Sequence, residues 1–265
     1  MEDLDKKVEK LENIIRESSR CAVAYSGGVD SLFLINKCYE IVKRNVIAVT
    51  LKTPLISSRE FNYAVAEAEK LGVKHIVIER GIKDFGWFDT NPEDRCYICK
   101  SAGFSLIKEE ALKYGITVVF DGTNIDDMDD YRPGMKAVKE LGVISPLKEA
   151  GLTKNEIRLL SKEMGINGYD RASFTCLATR FPTGSKIEER YIQMAEESEE
   201  YLFSIGFKEF RVRVHGEIGR IEIGEGIERL LSKEIRESVD KKFKEIGFRY
   251  VCCELGGYKR GNMNS

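Results

Sequence analysis

The stretch Ser26-Gly27-Gly28-Val29-Asp30-Ser31 follows a short apolar run, Arg20 to Tyr25, and precedes a helical pattern that starts near Asp30 with Leu32, Phe33, Ile35 and Cys38. Strand, tight loop and helix in that order put backbone N–H groups and the positive end of a helix dipole at one point, where an anion is held. The residue types suit that task. Two glycines permit positive φ and close backbone approach, Ser26 and Ser31 offer hydroxyls, and Asp30 is suited to orient a magnesium ion beside phosphates. There is no GxxxxGK[ST], so this is a phosphate loop of a kind other than the Walker loop.

The pattern around the loop repeats. Residues 3–18 read as an amphipathic helix, Val46 to Leu51 as a strand, Ser57 or Ser58 as the cap of a helix reaching Leu71, and His75 to Ile78 as a third strand. An irregular loop over 80–95 leads into a helix from Arg95 to Tyr114, with Cys96 and Cys99 on its first turn. A strand from Thr117 to Phe120, a loop over 122–134, a helix from Lys136 to Leu141 and a helix capped by Thr153 and ending at Met164 complete this part. Alternating strands and helices predict an α/β, Rossmann-like parallel sheet. The polar, glycine-containing stretch 165–185 marks a boundary, giving domains 1–170 and 171–265. The second reads as helix 187–204, strands Phe210 to His215 and Ile218 to Ile223, helix 226–245 and strand Phe248 to Glu254, a smaller α+β unit.

Charge narrows the partners. Forty-two basic against 44 acidic residues leave a net charge of -2, which argues against a protein gripping long nucleic acid. No apolar run approaches the roughly 18–20 residues of a bilayer crossing, and Met1 to Arg20 is charged throughout, so the expected setting is cytoplasmic, without a membrane partner. Seven cysteines without a signal peptide favour reduced thiols. Cys96-Tyr97-Ile98-Cys99 is a C-x-x-C pair and Cys176 stands alone, whereas Cys21, Cys38, Cys252 and Cys253 read as structural. A C-x-x-C serves as a redox dithiol, half of a zinc site or two ligands of an iron–sulfur cluster. His75 and His215 fall in predicted strands without ligand spacing, which disfavours zinc.

The loop resembles the SGGxDS pyrophosphate loop (PP-loop) of the ATP pyrophosphatase superfamily, which cleaves ATP between the α and β phosphates to adenylate a substrate. That resemblance implies ATP and Mg2+ at Ser26, Gly27, Gly28, Asp30 and Ser31, with the nucleoside at the strand ends Leu51 to Thr53 and Asp121 to Asn124, Thr123 included. Beyond the loop the chain resembles the LarE family nearly end to end, in Arg95-Cys-x-x-Cys-Lys100, Asp121-Gly-Thr-Asn124, Tyr131-Arg-Pro-Gly134, Gly142-Val-Ile-Ser-Pro-Leu147, Cys176-Leu-Ala-x-Arg-Phe181, Arg211-Val-Arg213 and Gly257-Tyr-Lys-x-Gly-x-Met-Asn264. The resemblance implies an ATP-dependent sulfur transferase that adenylates a carboxylate of pyridinium-3,5-biscarboxylic acid mononucleotide and inserts sulfur to give a thiocarboxylate, on the route to the nickel-pincer nucleotide. In some members the cysteine matching Cys176 gives up its own sulfur. In those that also carry the pair, the resemblance implies a [4Fe-4S] cluster on Cys96, Cys99 and Cys176, fed by sulfide or another sulfur donor, and this version is the one expected here.

Arg211 and Arg213 share a strand face by period-two spacing and, with Arg180, are candidates for the substrate's phosphate and carboxylates; the alternative is a solvated basic face. Trp87 either stacks on a substrate ring or fills a core. Asp126, Asp127, Asp129 and Asp130 read as an acidic solvent-facing loop. Two other functions compete: a PP-loop tRNA thiolase, which would bind bulk tRNA tightly and salt-sensitively, and a nucleotide-binding or iron–sulfur scaffold, which would cleave no ATP. The expected partners are a small nucleotide substrate and a second copy of the chain, with no nucleic acid.

Overall fold

The computed structural model describes residues 2–128, 134–171 and 175–259. The candidates Asp129, Asp130 and Tyr131 to Pro133 and the tail from Arg260 lie outside the described residues. The chain divides into two compact units, each discontinuous: the first holds Met1–Thr53, Ser58–Arg80 and Asp94–Phe174, the second Pro54–Ser57, Gly81–Glu93 and Thr175–Ser265. A single cut at 170/171 does not contain the two excursions into the second unit.

The first unit runs α1 (Glu2–Ser18), β1 (Cys21–Ala24), α2 (Val29–Val42), β2 (Val46–Lys52), α3 (Ser58–Leu71), β3 (Lys74–Glu79), α4 (Arg95–Leu112), β4 (Val119–Phe120), α5 (Gly134–Glu140), α6 (Pro146–Glu149) and α7 (Lys154–Glu163). Its four strands pair in the order β3-β2-β1-β4, all parallel, with Cys21 beside Val46, Ile47 beside Lys74 and Ala22 beside Val119. Successive residues of β1 feed opposite faces, so two cores form. Cys21 and Val23 join Leu11, Ile15, Phe33, Ala64 and Ile157 on one side; Ala22 joins Phe104, Ile107, Ala111 and Val138 on the other. A parallel sheet covered by helices on both faces needs strands apolar on both sides, which β1 and β2 supply.

Strand order decides where a ligand goes. The chain leaves β1 toward β2 on one side and later returns to pair β4 on the other, so the switch point opens at the carboxyl end of β1, where Ser26–Ser31 sits.

The second unit carries α8 (Glu189–Ser204), β5 (Phe210–His215), β6 (Ile218–Ile223), α9 (Ile227–Leu231), α10 (Lys233–Ile246) and β7 (Tyr250–Cys253). β5 and β6 form an antiparallel hairpin and β7 adds parallel to β6. Val212, Val214, Ile221, Ile223, Leu202 and Phe243 are buried. The excursions are stitched in by backbone bonds, Leu177 N–H to Leu55 O at 2.9 Å and Ile187 N–H to Phe88 O at 2.8 Å. The expected helix 226–245 is two helices, because Ser232 is extended (φ -58, ψ 146) and carries no helical turn through. The short α6 carries too little periodicity to be seen in the sequence.

Candidate active site

The loop after β1 is built from its own residues. Gly27 has φ +74, and a Cβ there would lie 2.6 Å from Ala64 Cβ of α3, so both backbone conformation and close packing require glycine. Gly28 is different: at φ -67 and ψ 154 it is ordinary extended backbone and does not use the freedom to take positive φ. A side chain at Gly28 would meet nothing nearer than Ser26 Oγ at 3.4 Å, so what its lack of a side chain provides is open space in front of α2. The Ser26 and Ser31 hydroxyls lie 3.1 Å apart, Gly28 N–H donates to Ser26 Oγ at 3.3 Å, and Ser31 Oγ donates to Gly28 O at 3.1 Å. No side chain caps α2. An uncapped helix start facing open space is what an anion needs.

Asp30, on the first turn of α2, forms an ion pair through Oδ2 with Lys154, the first residue of α7. Its Oδ1 is buried and has no hydrogen-bond partner. Burial pushes the carboxyl above the ordinary range, against the pull of the Lys154 ammonium; Asp127 adds to the rise and the nearby Asn124 side chain opposes it. Gly122 brings the loop after β4 against this turn, a Cβ there lying 3.0 Å from Ser31 N. Asp121 and Thr123 fix one another, Thr123 Oγ1 donating to Asp121 Oδ2 at 2.5 Å. Leu51 is half-buried at the end of β2 and Thr53 is buried just beyond it. All the expected ATP-binding residues thus stand at carboxyl ends of neighbouring strands in one sheet. Cys96 and Cys99 lie on the first turn of α4, three residues apart on one helix face, the first exposed and the second half-buried.

In the second unit the arginines gather. Arg180, 3% exposed, holds Glu199 in a fork of two 2.8 Å bonds and donates to Thr175 Oγ1 and Thr179 Oγ1. It also reaches the Cys176 carbonyl at 3.4 Å. Arg213 donates to Glu222 Oε2 at 3.0 and 2.8 Å and to Thr179 O at 2.6 Å. Glu222 is wholly buried and also meets Arg220 at 3.2 Å. Two of the three arginines expected to bind substrate are therefore neutralised internally. Arg211 differs: among the described residues it has no carboxylate ion pair, only the Phe210 carbonyl at 2.6 Å and the Tyr258 ring at 5.0 Å. Burial, then the charge of Arg180, lowers its pKa; Arg213 lowers it further, while Glu199 and Tyr258 oppose. Trp87 fills a core: it is 4% exposed and stacked on Phe88 with centroids 4.3 Å apart.

Cys176 belongs to this unit and the Cys96–Cys99 pair to the other. Among the described residues no three His, Cys, Asp or Glu side chains form a metal-binding group. Nor, among them, is any helix long and apolar enough to cross a membrane. Sequence reasoning missed Lys154, Glu199 and Glu222. One signal for Lys154 was present: a cation at the first residue of a helix opposes the helix dipole, and is tolerated best beside a fixed anion. The two glutamates gave none.

The sheet, its glycine–serine loop at the switch point and the arginine-bearing unit define the class, an α/β protein with a Rossmann-like parallel sheet and a second, smaller α+β unit. No family model matches the chain. It is 33% identical over 266 residues, covering all of this chain and 96% of the other, to pyridinium-3,5-bisthiocarboxylic acid mononucleotide synthase of Lactiplantibacillus plantarum. It is also 35% identical over 262 residues to an uncharacterized protein of Synechocystis, covering 98% of each chain. With an uncharacterized protein of Methanocaldococcus jannaschii it shares 36% identity over 259 residues, covering 96% of this chain and 98% of the other. The chain belongs to the LarE family, that of the Lactiplantibacillus synthase.

Proposed function

We propose that this protein is an ATP-dependent sulfur transferase acting on pyridinium-3,5-biscarboxylic acid mononucleotide. The observation that carries the reading is the whole-length match to a synthase of the corresponding bisthiocarboxylic acid. The loop geometry supports it. A substrate carboxylate oxygen attacks the α phosphorus of ATP, the bond to pyrophosphate breaks, and the acyl adenylate that forms then loses AMP to an attacking sulfur. Such activation relies on positioning and charge neutralisation more than on a general base. The N–H groups at the start of α2, with Ser26 and Ser31, hold the leaving pyrophosphate; Leu51, Thr53, Asp121 and Thr123 border the nucleoside; Arg211 meets the substrate's anionic groups.

Two groups that this reading calls for fit the residues to different degrees. Asp30 Oδ1, buried and unpartnered, suits magnesium, which supplies charge neutralisation at the pyrophosphate. Cys96 and Cys99 offer two thiols on one turn, and a [4Fe-4S] cluster, which would supply the transferable sulfur, needs Cys176 as its third thiolate; among the described residues no third ligand stands with the pair. A second reading, sacrifice of the Cys176 sulfur, is favoured by one observation: Cys176 shares its unit with the arginines and its carbonyl accepts from Arg180.

The test mixes protein, ATP, Mg2+ and the biscarboxylic mononucleotide under anaerobic conditions and follows AMP, pyrophosphate and thiocarboxylate. All three together are expected. No ATP cleavage, or tight salt-sensitive binding of bulk tRNA, would overturn the reading. Intact mass then separates the sulfur sources, since sacrifice leaves a chain lighter by the mass of hydrogen sulfide after one turnover.

A further inference from the structure

We propose that Lys154 is a built-in cation standing where a divalent metal stands once nucleotide binds, so that the loop accepts metal only together with nucleotide. The inference rests on the ATP reading above and deepens it.

Lys154 reaches Asp30 across 124 positions of sequence, and both side chains are largely buried, 23% and 21% exposed. Its backbone is fixed from three sides. Its N–H donates to Asp126 Oδ2 at 2.8 Å, Thr153 before it forms a capping box with Glu156, and Glu156 is in turn held by Lys7 at 2.7 Å. The ammonium is thus aimed at Asp30 by a rigid helix start, on a four-carbon stem that can still swing. It satisfies only one carboxylate oxygen; Oδ1 stays buried and unpartnered. Oδ1 is the oxygen a metal would meet first, but a divalent ion within ligand distance of so small a carboxylate lies too close to the ammonium on Oδ2 for both cations to stay.

Metal and ammonium compete for that carboxylate. A divalent ion arriving alone must displace the ammonium from its partner. When nucleotide arrives with the metal, the displaced ammonium gains a phosphate oxygen instead, and the α2 N–H groups are filled at the same time. Metal and nucleotide therefore raise one another's affinity by the same factor.

Full-length wild type, Lys154→Met and Lys154→Arg are titrated with Mn2+ and followed by the electron paramagnetic resonance signal of free Mn2+, with and without α,β-methylene-ATP. Wild type is expected to bind Mn2+ only with the analogue. Lys154→Met should bind Mn2+ alone at least about tenfold tighter than wild type, and lose about ten- to a hundredfold in analogue affinity, the span for a charged hydrogen bond. Lys154→Arg should restore the exclusion of metal, which a purely structural lysine would not require. If wild type shows analogue-dependent Mn2+ binding and Lys154→Met matches it in both titrations, the inference is overturned and the ATP reading stands. If wild type binds neither Mn2+ nor analogue, the ATP reading itself fails and takes the inference with it. Should Lys154→Met fail to fold by thermal melting, Lys154→Gln replaces it in the same titrations.

Discussion

Residues of one type do different work depending on what surrounds them. Gly27 and Gly28 are adjacent, yet only the first is bound by φ +74 and by Ala64. Gly27→Ala is expected to cost about 2–4 kcal/mol in urea unfolding, from left-handed backbone plus overpacking. Gly28→Ala should leave the midpoint nearly unchanged while weakening ATP binding, because its methyl enters only the open space. The arginines divide in the same way. Arg213→Gln deprives the buried Glu222 of one partner and is expected to destabilise by about 3–5 kcal/mol, toward the lower end because Arg220 remains 3.2 Å away. Arg211→Gln should change stability little and raise the KM for the mononucleotide; unchanged KM with a lowered melting temperature would show that Arg211 is structural. Neither division is legible in the sequence, where Arg211 and Arg213 differ only by position.

At the scale of the element, the predicted strands and helices mostly correspond to observed ones, because the signals are local: apolar alternation in β5 and β6, a capping residue before α7, glycine and serine between β1 and α2. Failures also have local causes, as at Ser232, where an extended residue divides what periodicity alone joins. The start of α7 depends on Thr153, whose Oγ1 accepts from Glu156 N–H at 3.2 Å while Glu156 Oε2 accepts from Thr153 N–H at 2.8 Å. Thr153→Ala should lower stability by about 1 kcal/mol. If α7 also aims Lys154, the same variant loosens the exclusion of Mn2+ without nucleotide, which the titration above reads directly.

For the whole molecule, the two histidines set the part of the pH dependence of stability that lies just below neutrality. Burial lowers the pKa of His75 against the pull of Glu69; its Nε2 lies 2.8 Å from Thr50 Oγ1, and because that hydroxyl donates to Tyr25 O, the ring nitrogen is the donor. Burial, then the Arg220 charge, likewise lowers His215. A base with a depressed folded pKa is protonated more readily in the unfolded chain, so stability falls as pH drops below about 6.5 and is unaffected by these groups above it. His75→Gln is expected to flatten the slope of unfolding free energy against pH between about 6.5 and 5; an unchanged slope would show that His75 charges in the folded state without penalty.

The sequence by itself determined the alternation of strand and helix, the place of the glycine–serine loop after β1 and the family, since each is carried by neighbouring residues whose types restrict the backbone or recur along the chain. Tertiary structure alone decided that Pro54–Ser57 and Gly81–Glu93 join the second unit, that Trp87 is core, and which charges are paired. All three depend on segments far apart in the sequence meeting in space, and charge pairing shows the reason most plainly. With 42 basic and 44 acidic residues, the chain offers many partners for any one charge, and local pattern does not rank them. Lys154 meets Asp30, and Arg180 meets Glu199, only because strand order and helix packing bring distant segments within hydrogen-bond reach.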